Sequence, residues 1–304
     1  MVQTTIAGIS EEARERRATL EKEIVDLDKS LLEERREWND YAVKLPLAAG
    51  TKEQEETIAG VRCSWLIPDS CSSNDVLLFA HGGGLVTGSI VTHRAFASEI
   101  ANFTMRKVLL VEYGLIPENS CEVPRDDFVA VFKNLLKARR LLPEQTAFCG
   151  DSNGAGVGLA ALIHLRDENL PLPACFVSLS GAFDASLSGE SMRDDTVHDP
   201  VLSLEVLQHW QKIFSGHTEL DAPEISPLFG NLQGLPPSLL FAGSCEVWLS
   251  DSVRLERRLE QFGNSAKLNI FEGMWHVWMT QTDLPESQNA LTEINAYLDL
   301  HLSP

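Results

Sequence analysis

Short apolar, β-branched runs alternate with helical patterns along most of the chain after Gly50. Several of these runs are apolar throughout, as expected of strands that are covered on both faces of a sheet. Strand–helix alternation of this kind predicts an α/β fold with a mostly parallel sheet and helices on both sides. The predicted strands are VRCSWLI (61–67), VLLFA (76–80), KVLLVEY (107–113), TAFCG (146–150), ACFVSLS (174–180), SLLFAG (238–243) and AKLNIF (266–271), and the predicted helices cover about 126–140, 154–169, 203–214, 251–262 and 286–301.

Two segments depart from this alternation. Residues 11–40 are rich in Glu and Arg and carry an apolar stripe at helical spacing, which predicts one amphipathic helix, or two that are separated near Ser30. The polar segment of about 183–225 interrupts the strand–helix order and is typical of an insertion over a sheet. We therefore predict a single domain of 304 residues with a lid formed by about 1–45 and about 183–225. The apolar stripe consists of Leu20, Ile24, Leu27 and Leu31.

Composition restricts the classes of partner. The net charge of −19 comes from 44 acidic and 25 basic residues, and it disfavours nucleic acids and anionic lipid surfaces. No run of about 18 apolar residues could span a bilayer, and the N-terminus lacks the apolar core of a signal peptide. Six cysteines without CxxC pairs favour free thiols in a reducing compartment over disulfides or a metal site. We therefore predict a cytoplasmic protein without a membrane span.

The strongest chemical motif is GDSNG, Gly150 to Gly154, which fits the pattern G-x-S-x-G. It directly follows the predicted strand TAFCG and directly precedes a helical pattern. A sharp strand-to-helix turn needs small residues two positions before and after the serine, because larger side chains would clash there. The turn also places Ser152 at a helix N-terminus, where backbone N–H groups favour negative charge. We predict that Ser152 is a nucleophile; a glycine-rich packing turn is the alternative.

A second motif, HGGG, His81 to Gly84, ends the strand VLLFA. Three successive glycines let the backbone approach a substrate closely and aim several N–H groups at one point. An oxyanion hole needs this geometry to stabilise the charge of a tetrahedral intermediate. We predict the N–H groups of Gly82, Gly83 and Asn153 as its donors. A phosphate-binding loop is the alternative, but the lysine or G-x-G-x-x-G spacing that it requires does not follow.

A serine nucleophile needs a base, and chain order narrows the choice among the eight histidines. When the serine sits on a strand-to-helix turn of this type, the chain order is serine, acid and histidine. His276 lies in FEGMWHVW, just past the last predicted strand, where a loop at the carboxyl end of a parallel sheet can reach the serine. We therefore predict His276 as the base. The later histidines that fit less well are His164, His198, His209, His217 and His301.

Taken together, HGGG, GDSNG, VEYGLIPE (111–118) and EGMWHVW resemble the hormone-sensitive-lipase-like family of α/β-hydrolases. The resemblance runs from about Trp65 to the C-terminus. It implies an α/β-hydrolase fold with an eight-stranded, mostly parallel sheet and a helical cap, and it implies hydrolysis of carboxylic esters without a cofactor. Family members often pair through their last edge strand, which here would be AKLNIF, so a homodimer is a further expectation.

The chain departs from the family pattern beside the predicted oxyanion loop. Leu85 follows HGGG where the family usually has an aromatic residue, and EYGLIPENSCEV stands where it often reads DYRLAPEHPFPA. These departures bear on substrate preference more than on catalysis. We predict that Leu85, together with Phe183 and Trp210 of the lid segment, lines the substrate pocket; core packing is the alternative for each.

The carboxylate that orients His276 is expected in AGSCEVWLSDS (242–252), just past the strand SLLFAG. Glu246 lies in the predicted loop, whereas Asp251 begins a helical pattern that Asp251 or Ser250 is suited to cap. Similar stretches in the family often read GSDEVLLDDS, and here Cys245 replaces the first acid of the central pair. We predict Glu246 as the acid; Asp251 or an impaired triad are the alternatives.

These residues predict a serine carboxylesterase that hydrolyses short-chain or small-molecule esters through Ser152, His276 and Glu246 and an acyl-enzyme intermediate. A lactone or amide hydrolase, or a deacetylase of a pathway intermediate, is an alternative, because acyl transfer to water uses one site for all of them. A non-catalytic, small-molecule-binding member of the family is an alternative of a different class. The sequence does not identify the natural substrate.

Overall fold

Nine strands form one sheet in the computed structural model of the protein, which describes residues 3–6, 8–20, 29–194, 197–214 and 218–302. The order across the sheet is first-ninth-eighth-seventh-sixth-fourth-fifth-third-second in chain numbering. Among the described strands, the pairs β2–β3 and β3–β5 are antiparallel and the others are parallel, as predicted. The strands are β1 (Gln3–Ile6), β2 (Thr51–Ile58), β3 (Val61–Pro68), β4 (Val76–Ala80), β5 (Lys107–Val111), β6 (Thr146–Asp151), β7 (Cys175–Leu179), β8 (Ser238–Gly243) and β9 (Ala266–Phe271).

Eight α-helices accompany the sheet in the described part of the chain. Five of them match the predicted helices, whereas the third, Ile90–Thr104, was not predicted. None of these helices is both long enough and apolar enough to cross a membrane. The helices are α1 (Glu11–Leu20), α2 (Leu31–Ala42), α3 (Ile90–Thr104), α4 (Val123–Ala138), α5 (Asn153–Asp167), α6 (Leu204–Phe214), α7 (Leu249–Gln261) and α8 (Pro285–His301).

The predicted helical region 11–40 is described as two helices, α1 and α2. The start of α2 is fixed by a capping box in which Ser30 and Glu33 each accept a hydrogen bond from the other's backbone N–H. Ile24 and Leu27 of the predicted stripe lie outside the described residues, as does His217 of the lid segment.

Two apolar layers flank the sheet because its central strands carry buried side chains on both faces. On one face, the ring of Phe148 in β6 packs edge-on against Phe128 and Phe132 of α4, with ring centroids 4.9 Å apart in both pairs. On the other face, Phe79 of β4 meets Phe96 of α3 at 6.2 Å. The carboxyl ends of β6, β8 and β9 therefore rest on a packed core, which holds the loops that follow them.

The sheet has one strand more than the eight that the family resemblance implied. The additional strand β1 pairs in parallel with β9, with Gln3 opposite Leu268 and Ile6 opposite Phe271. Residues 3–6, which the prediction placed in the lid, therefore belong to the sheet. An edge strand presents unpaired N–H and C=O groups, and the N-terminal segment satisfies those of β9. The edge that was expected to form a homodimer is thus covered within the chain.

Candidate active site

Ser152 lies on the sharp turn between β6 and α5, as predicted, with φ 51° and ψ −129°. The flanking glycines are required by close backbone contacts. A Cβ atom on Gly150 would lie 2.6 Å from the carbonyl carbon of Gly154, and one on Gly154 would lie 2.1 Å from the carbonyl oxygen of Ala80. The turn is further fixed by the N–H of Ser152, which donates to the carbonyl of Leu179 at 2.9 Å. The motif therefore holds Ser152 in a strained conformation at the start of a helix.

The structure brings His276 to Ser152 across 124 residues of sequence. The Nε2 atom of His276 lies 3.0 Å from the Oγ atom of Ser152, which is hydrogen-bonding distance. His276 sits in the loop after β9, and the N–H of the next residue, Val277, donates to the hydroxyl of Ser180 at 3.1 Å. Both Ser152 and His276 are buried. The pair is therefore positioned for proton transfer from the hydroxyl to the imidazole.

Glu246 faces the other nitrogen of the His276 ring. Its Oε2 atom lies 3.5 Å from Nδ1, and its side chain has no exposed surface. The loop that carries Glu246 packs closely on the loop that carries His276, because Gly243 has no side chain: a Cβ atom there would lie 2.3 Å from the carbonyl oxygen of Met274. The N–H of Cys245 donates to that same carbonyl at 2.9 Å. The structure thus brings together all three residues of the predicted triad.

Burial and charge have opposite effects on the pKa values of Glu246 and His276. Burial raises the pKa of Glu246, and the nearby His276 only partly offsets this effect. Burial alone would lower the pKa of His276, but the adjacent carboxylate of Glu246, with the charges of Asp199 and Asp151, raises it above its usual value. The carboxylates around the imidazole therefore make it more basic.

Asp251, the alternative acid, hydrogen-bonds a different part of the molecule. It lies in the first turn of α7, fully buried, and its Oδ2 atom accepts a hydrogen bond of 2.8 Å from the N–H of Phe183. Burial, reinforced by the charge of Asp184, raises the pKa of Asp251 to about 8. The prediction that Ser250 or Asp251 caps the helix is wrong, because α7 begins earlier, with Trp248 at the N-cap position and no side-chain cap.

One predicted oxyanion donor, the N–H of Gly82 in the glycine loop, already has a partner in the structure. The N–H of Gly82 points at the carboxylate of Asp151, with a donor–acceptor distance of 2.9 Å, so it is not available to a substrate. The prediction for Gly82 is therefore wrong. In the described part of the chain, the N–H groups of Gly83, Gly84 and Asn153 donate no hydrogen bond. The donors available in the glycine loop are thus Gly83 and Gly84, in place of the predicted Gly82 and Gly83.

A buried network behind the glycine loop was not predicted. The Nε2 atom of His93 in α3 lies 3.3 Å from Oδ2 of Asp151, and the ring of Tyr113 stacks on that of His81 with centroids 4.2 Å apart. Burial lowers the pKa of His81 to about 3, so His81 is neutral and structural. Neither His93 nor Asp151 could be assigned a role from sequence, because their contacts join α3 to the turn after β6.

The three predicted pocket residues have different surroundings. Leu85 and Asn153 both line a cavity of about 10 Å³ beside the first turn of α5. The indole ring of Trp210 lies so close to the glycine loop that a Cβ atom on Gly84 would meet its Cε3 atom at 2.4 Å. Phe183, in contrast, is fully buried in the core, so core packing, the alternative, accounts for it.

Comparison with known proteins agrees with this geometry. Residues 77–280 match the model of a family described as having the alpha/beta hydrolase fold. The chain is 34% identical over 239 residues to an esterase of Acinetobacter venetianus, covering 78% of each chain. It is 31% identical to an acetyl-hydrolase of Streptomyces hygroscopicus over 80% of this chain and 81% of that protein.

Solved structures extend the likeness to nearly the whole chain. The crystal structure of an esterase from the bacterial hormone-sensitive lipase family superimposes with a TM-score of 0.91. It is 32% identical in sequence, and the match covers 98% of this chain and 100% of that chain. With the matched family model and the arrangement of Ser152, Glu246 and His276, this likeness shows that the chain belongs to the hormone-sensitive-lipase-like family of α/β-hydrolases.

Proposed function

We propose that the protein is a serine carboxylesterase that uses Ser152 as nucleophile, His276 as base and Glu246 as the orienting acid. The observation that carries the proposal is the continuous contact from Oγ of Ser152 to Nε2 of His276 at 3.0 Å, and from Nδ1 to the buried carboxylate at 3.5 Å. The second distance is long for a hydrogen bond, as is common before a substrate is bound. The likeness to esterases supports the same reaction class.

The chemical steps follow from these contacts. Oγ of Ser152 attacks the ester carbonyl carbon while Nε2 of His276 takes the hydroxyl proton. The carbonyl oxygen becomes negatively charged and accepts hydrogen bonds from the N–H groups of Gly83, Gly84 and Asn153. The C–O bond to the alcohol then breaks, and His276 returns the proton to the leaving oxygen. Water attacks the resulting acyl-enzyme with the same base, which releases the acid and restores Ser152.

A cap over this site is part of the proposal. It consists of α1, α2 and the insertion of about 183–225, which contains α6. Glu34 of α2 faces His209 and Trp210 of α6, so the two parts of the cap meet. Arg35 of α2 donates to the carbonyl of Val86 at 2.6 Å, just past the glycine loop. The cap thus rests on the loop that supplies the oxyanion donors, where it could limit the size of a substrate.

Deacetylation of a small metabolite is a second candidate, favoured by the likeness to an acetyl-hydrolase. A lactone or amide substrate would use the same atoms. The non-catalytic binder is disfavoured because the serine, histidine and acid lie in contact. A cytoplasmic location and a homodimer stay predictions; a dimer would have to pair through β1 or another face, because β1 covers the edge of β9.

The test is turnover of p-nitrophenyl acetate and p-nitrophenyl butyrate by wild type and S152A. Loss of the hydroxyl removes the nucleophile, so S152A should lose all turnover above the uncatalysed rate. Hydrolysis by S152A at a rate near wild type would refute the assignment. A panel of acetylated small molecules, lactones and anilides, measured with wild type, separates the candidate substrate classes.

A further inference from the structure

A second, half-buried carboxylate ties the two catalytic loops together. Asp199 lies in the insertion, and its Oδ2 atom accepts a hydrogen bond of 3.3 Å from the N–H of Val247, the residue after Glu246. Its Oδ1 atom lies 3.5 Å from the backbone nitrogen of His276. The same oxygen accepts from the N–H groups of Val201 and Leu202, at 3.0 and 3.3 Å, which holds the carboxylate in place. One side chain of the cap therefore contacts the backbone of both loops.

Arg17 of α1 contacts the same three segments from another direction. Its guanidinium donates to the carbonyl oxygen of His198 at 2.7 Å, next to Asp199 in sequence. It also donates to Sγ of Cys245 at 3.1 Å, in the acid loop, and to the carbonyl of Gly273 at 3.2 Å, in the histidine loop. The position where the family often has an acid is thus occupied here by a thiol that accepts a hydrogen bond from Arg17.

We propose that Asp199 and Arg17 are positioning residues that clamp the acid loop and the histidine loop to the cap. They would thereby keep Glu246 in contact with His276, and His276 in contact with Ser152. The inference rests on the proposed function, because it assigns these residues to the same reaction. In the part of the chain that the structure describes, Oγ of Ser152 is hydrogen-bonded to His276 and to neither of these side chains. Their effect is exerted through the backbone of Val247, His276 and Gly273.

The clamp also has an electrostatic part. Glu246, Asp199 and Asp151 are the carboxylates that act on His276, and each favours the protonated imidazole that forms during the reaction. Glu246 contacts the ring directly, whereas Asp199 acts from the backbone side of the same residue. Removing the charge of Asp199 should therefore lower the pKa of His276 as well as loosen the two loops.

The first test is D199N, an uncharged variant of the same size, assayed with p-nitrophenyl acetate between pH 5 and 9. A loosened triad should lower kcat by about 10- to 100-fold, with a much smaller change in KM, because misplacement of about 1 Å can cost 10²-fold in rate. The acid limb of the profile of kcat/KM against pH should move to lower pH. A kcat near wild type, or an unmoved acid limb, would overturn the role of Asp199.

The second test compares R17M with R16M on the same helix. Arg16 binds Asp283 at 2.8 Å and Gln281, which follow His276 at the α8 end of the histidine loop and lie outside the three segments that Arg17 contacts, so it controls for loosening of α1. R17M should lower kcat at least tenfold more than R16M does, with folding monitored by the melting temperature. Equal losses in the two variants would overturn the clamp. Ester turnover by wild type and its loss in S152A test the proposed function separately, so failure of the clamp alone is recognisable.

Discussion

At the scale of single residues, one fully buried carboxylate faces His276, the proposed base. Glu246 lies 3.5 Å from Nδ1 of His276 and favours the tautomer that carries its proton on that nitrogen. Nε2 is then free to accept the proton of Ser152, 3.0 Å away. Among the described residues, Nδ1 has no hydrogen-bond partner that would select this tautomer in place of the carboxylate, and burial alone would lower the pKa of His276. In the proposed triad, Glu246 therefore controls both the orientation and the basicity of the imidazole.

This role predicts a large difference between two acid-to-amide variants. E246Q should lower kcat for p-nitrophenyl acetate by about 10³- to 10⁴-fold, because the amide neither stabilises the imidazolium nor selects the correct tautomer. D251N should stay close to wild type. The raised pKa of Asp251 keeps its side chain largely uncharged at neutral pH, and an asparagine can still accept the hydrogen bond from Phe183. A greater loss in D251N than in E246Q would identify Asp251 as the acid.

Sequence reasoning reached these residues to different degrees. Ser152 and His276 each follow a predicted strand, and they occur along the chain in the order serine, acid and histidine. Their positions could therefore be predicted. The error at Gly82 has a physical cause: the direction of its N–H depends on Asp151, which lies 69 residues away in sequence. Asp199 could not be assigned for the same reason, because its partners Val247 and His276 are brought to it only by the fold.

At the scale of elements, helix α6 of the proposed cap packs directly against the glycine loop. Trp210 fills the space where a side chain on Gly84 would lie, and Glu34 of α2 faces the same tryptophan. The left-handed φ of 65° at Gly84 is one that only glycine adopts without cost. Loop and helix therefore fit each other closely beside the proposed oxyanion donors.

This contact predicts a change in acyl specificity when the indole is removed. W210A should raise the ratio of kcat/KM for a bulky ester, p-nitrophenyl pivalate, to that for p-nitrophenyl acetate by about tenfold, because the vacated volume admits a larger acyl group. Q211A is the matched control: its side chain on the same helix binds the carbonyl of Ala185 instead. An unchanged ratio in W210A, or an equal change in Q211A, would contradict the assignment of Trp210 to the site.

The two strands that sequence reasoning missed lack the pattern on which it depends. Strand β2, TKEQEETI, is an edge strand with mostly polar side chains, and Glu53 and Glu55 pair with Arg94 and Arg62 across its surface. Its apolar signal is therefore absent. Strand β1 has four residues and forms by pairing with β9, whose own pattern was clear. The central strands were predictable because both of their faces are buried.

At the scale of the whole molecule, an acidic protein of net charge −19 buries several carboxylates in and around its site. Burial raises the pKa of Glu246, Asp199 and Asp251 above their usual values. A group whose pKa is raised by folding binds its proton more tightly in the folded state. The stability it contributes is complete at low pH and is lost as the pH rises through the folded-state pKa.

Asp251 makes this effect measurable. Its folded-state pKa of about 8 implies that the free energy of unfolding falls by up to about 1.4 kcal/mol per pH unit between its unfolded-state pKa and pH 8. D251N cannot ionise, so it should gain stability relative to wild type as the pH rises from 5 to 8. Asp184 and Arg254 face the same carboxyl and are unchanged in the comparison. Parallel stability profiles from urea unfolding would contradict the raised pKa.

In the proposed mechanism, His276 and Glu246 activate Ser152 for attack on an acyl carbon. The most direct measurement is mass spectrometry of the intact protein and its peptides after reaction with a fluorophosphonate, which labels activated serines. We predict one added phosphonyl group, located on Ser152, with labelling abolished in S152A and strongly slowed in H276A and E246Q. No label, a label on another residue, or equal labelling rates in H276A and wild type would contradict it.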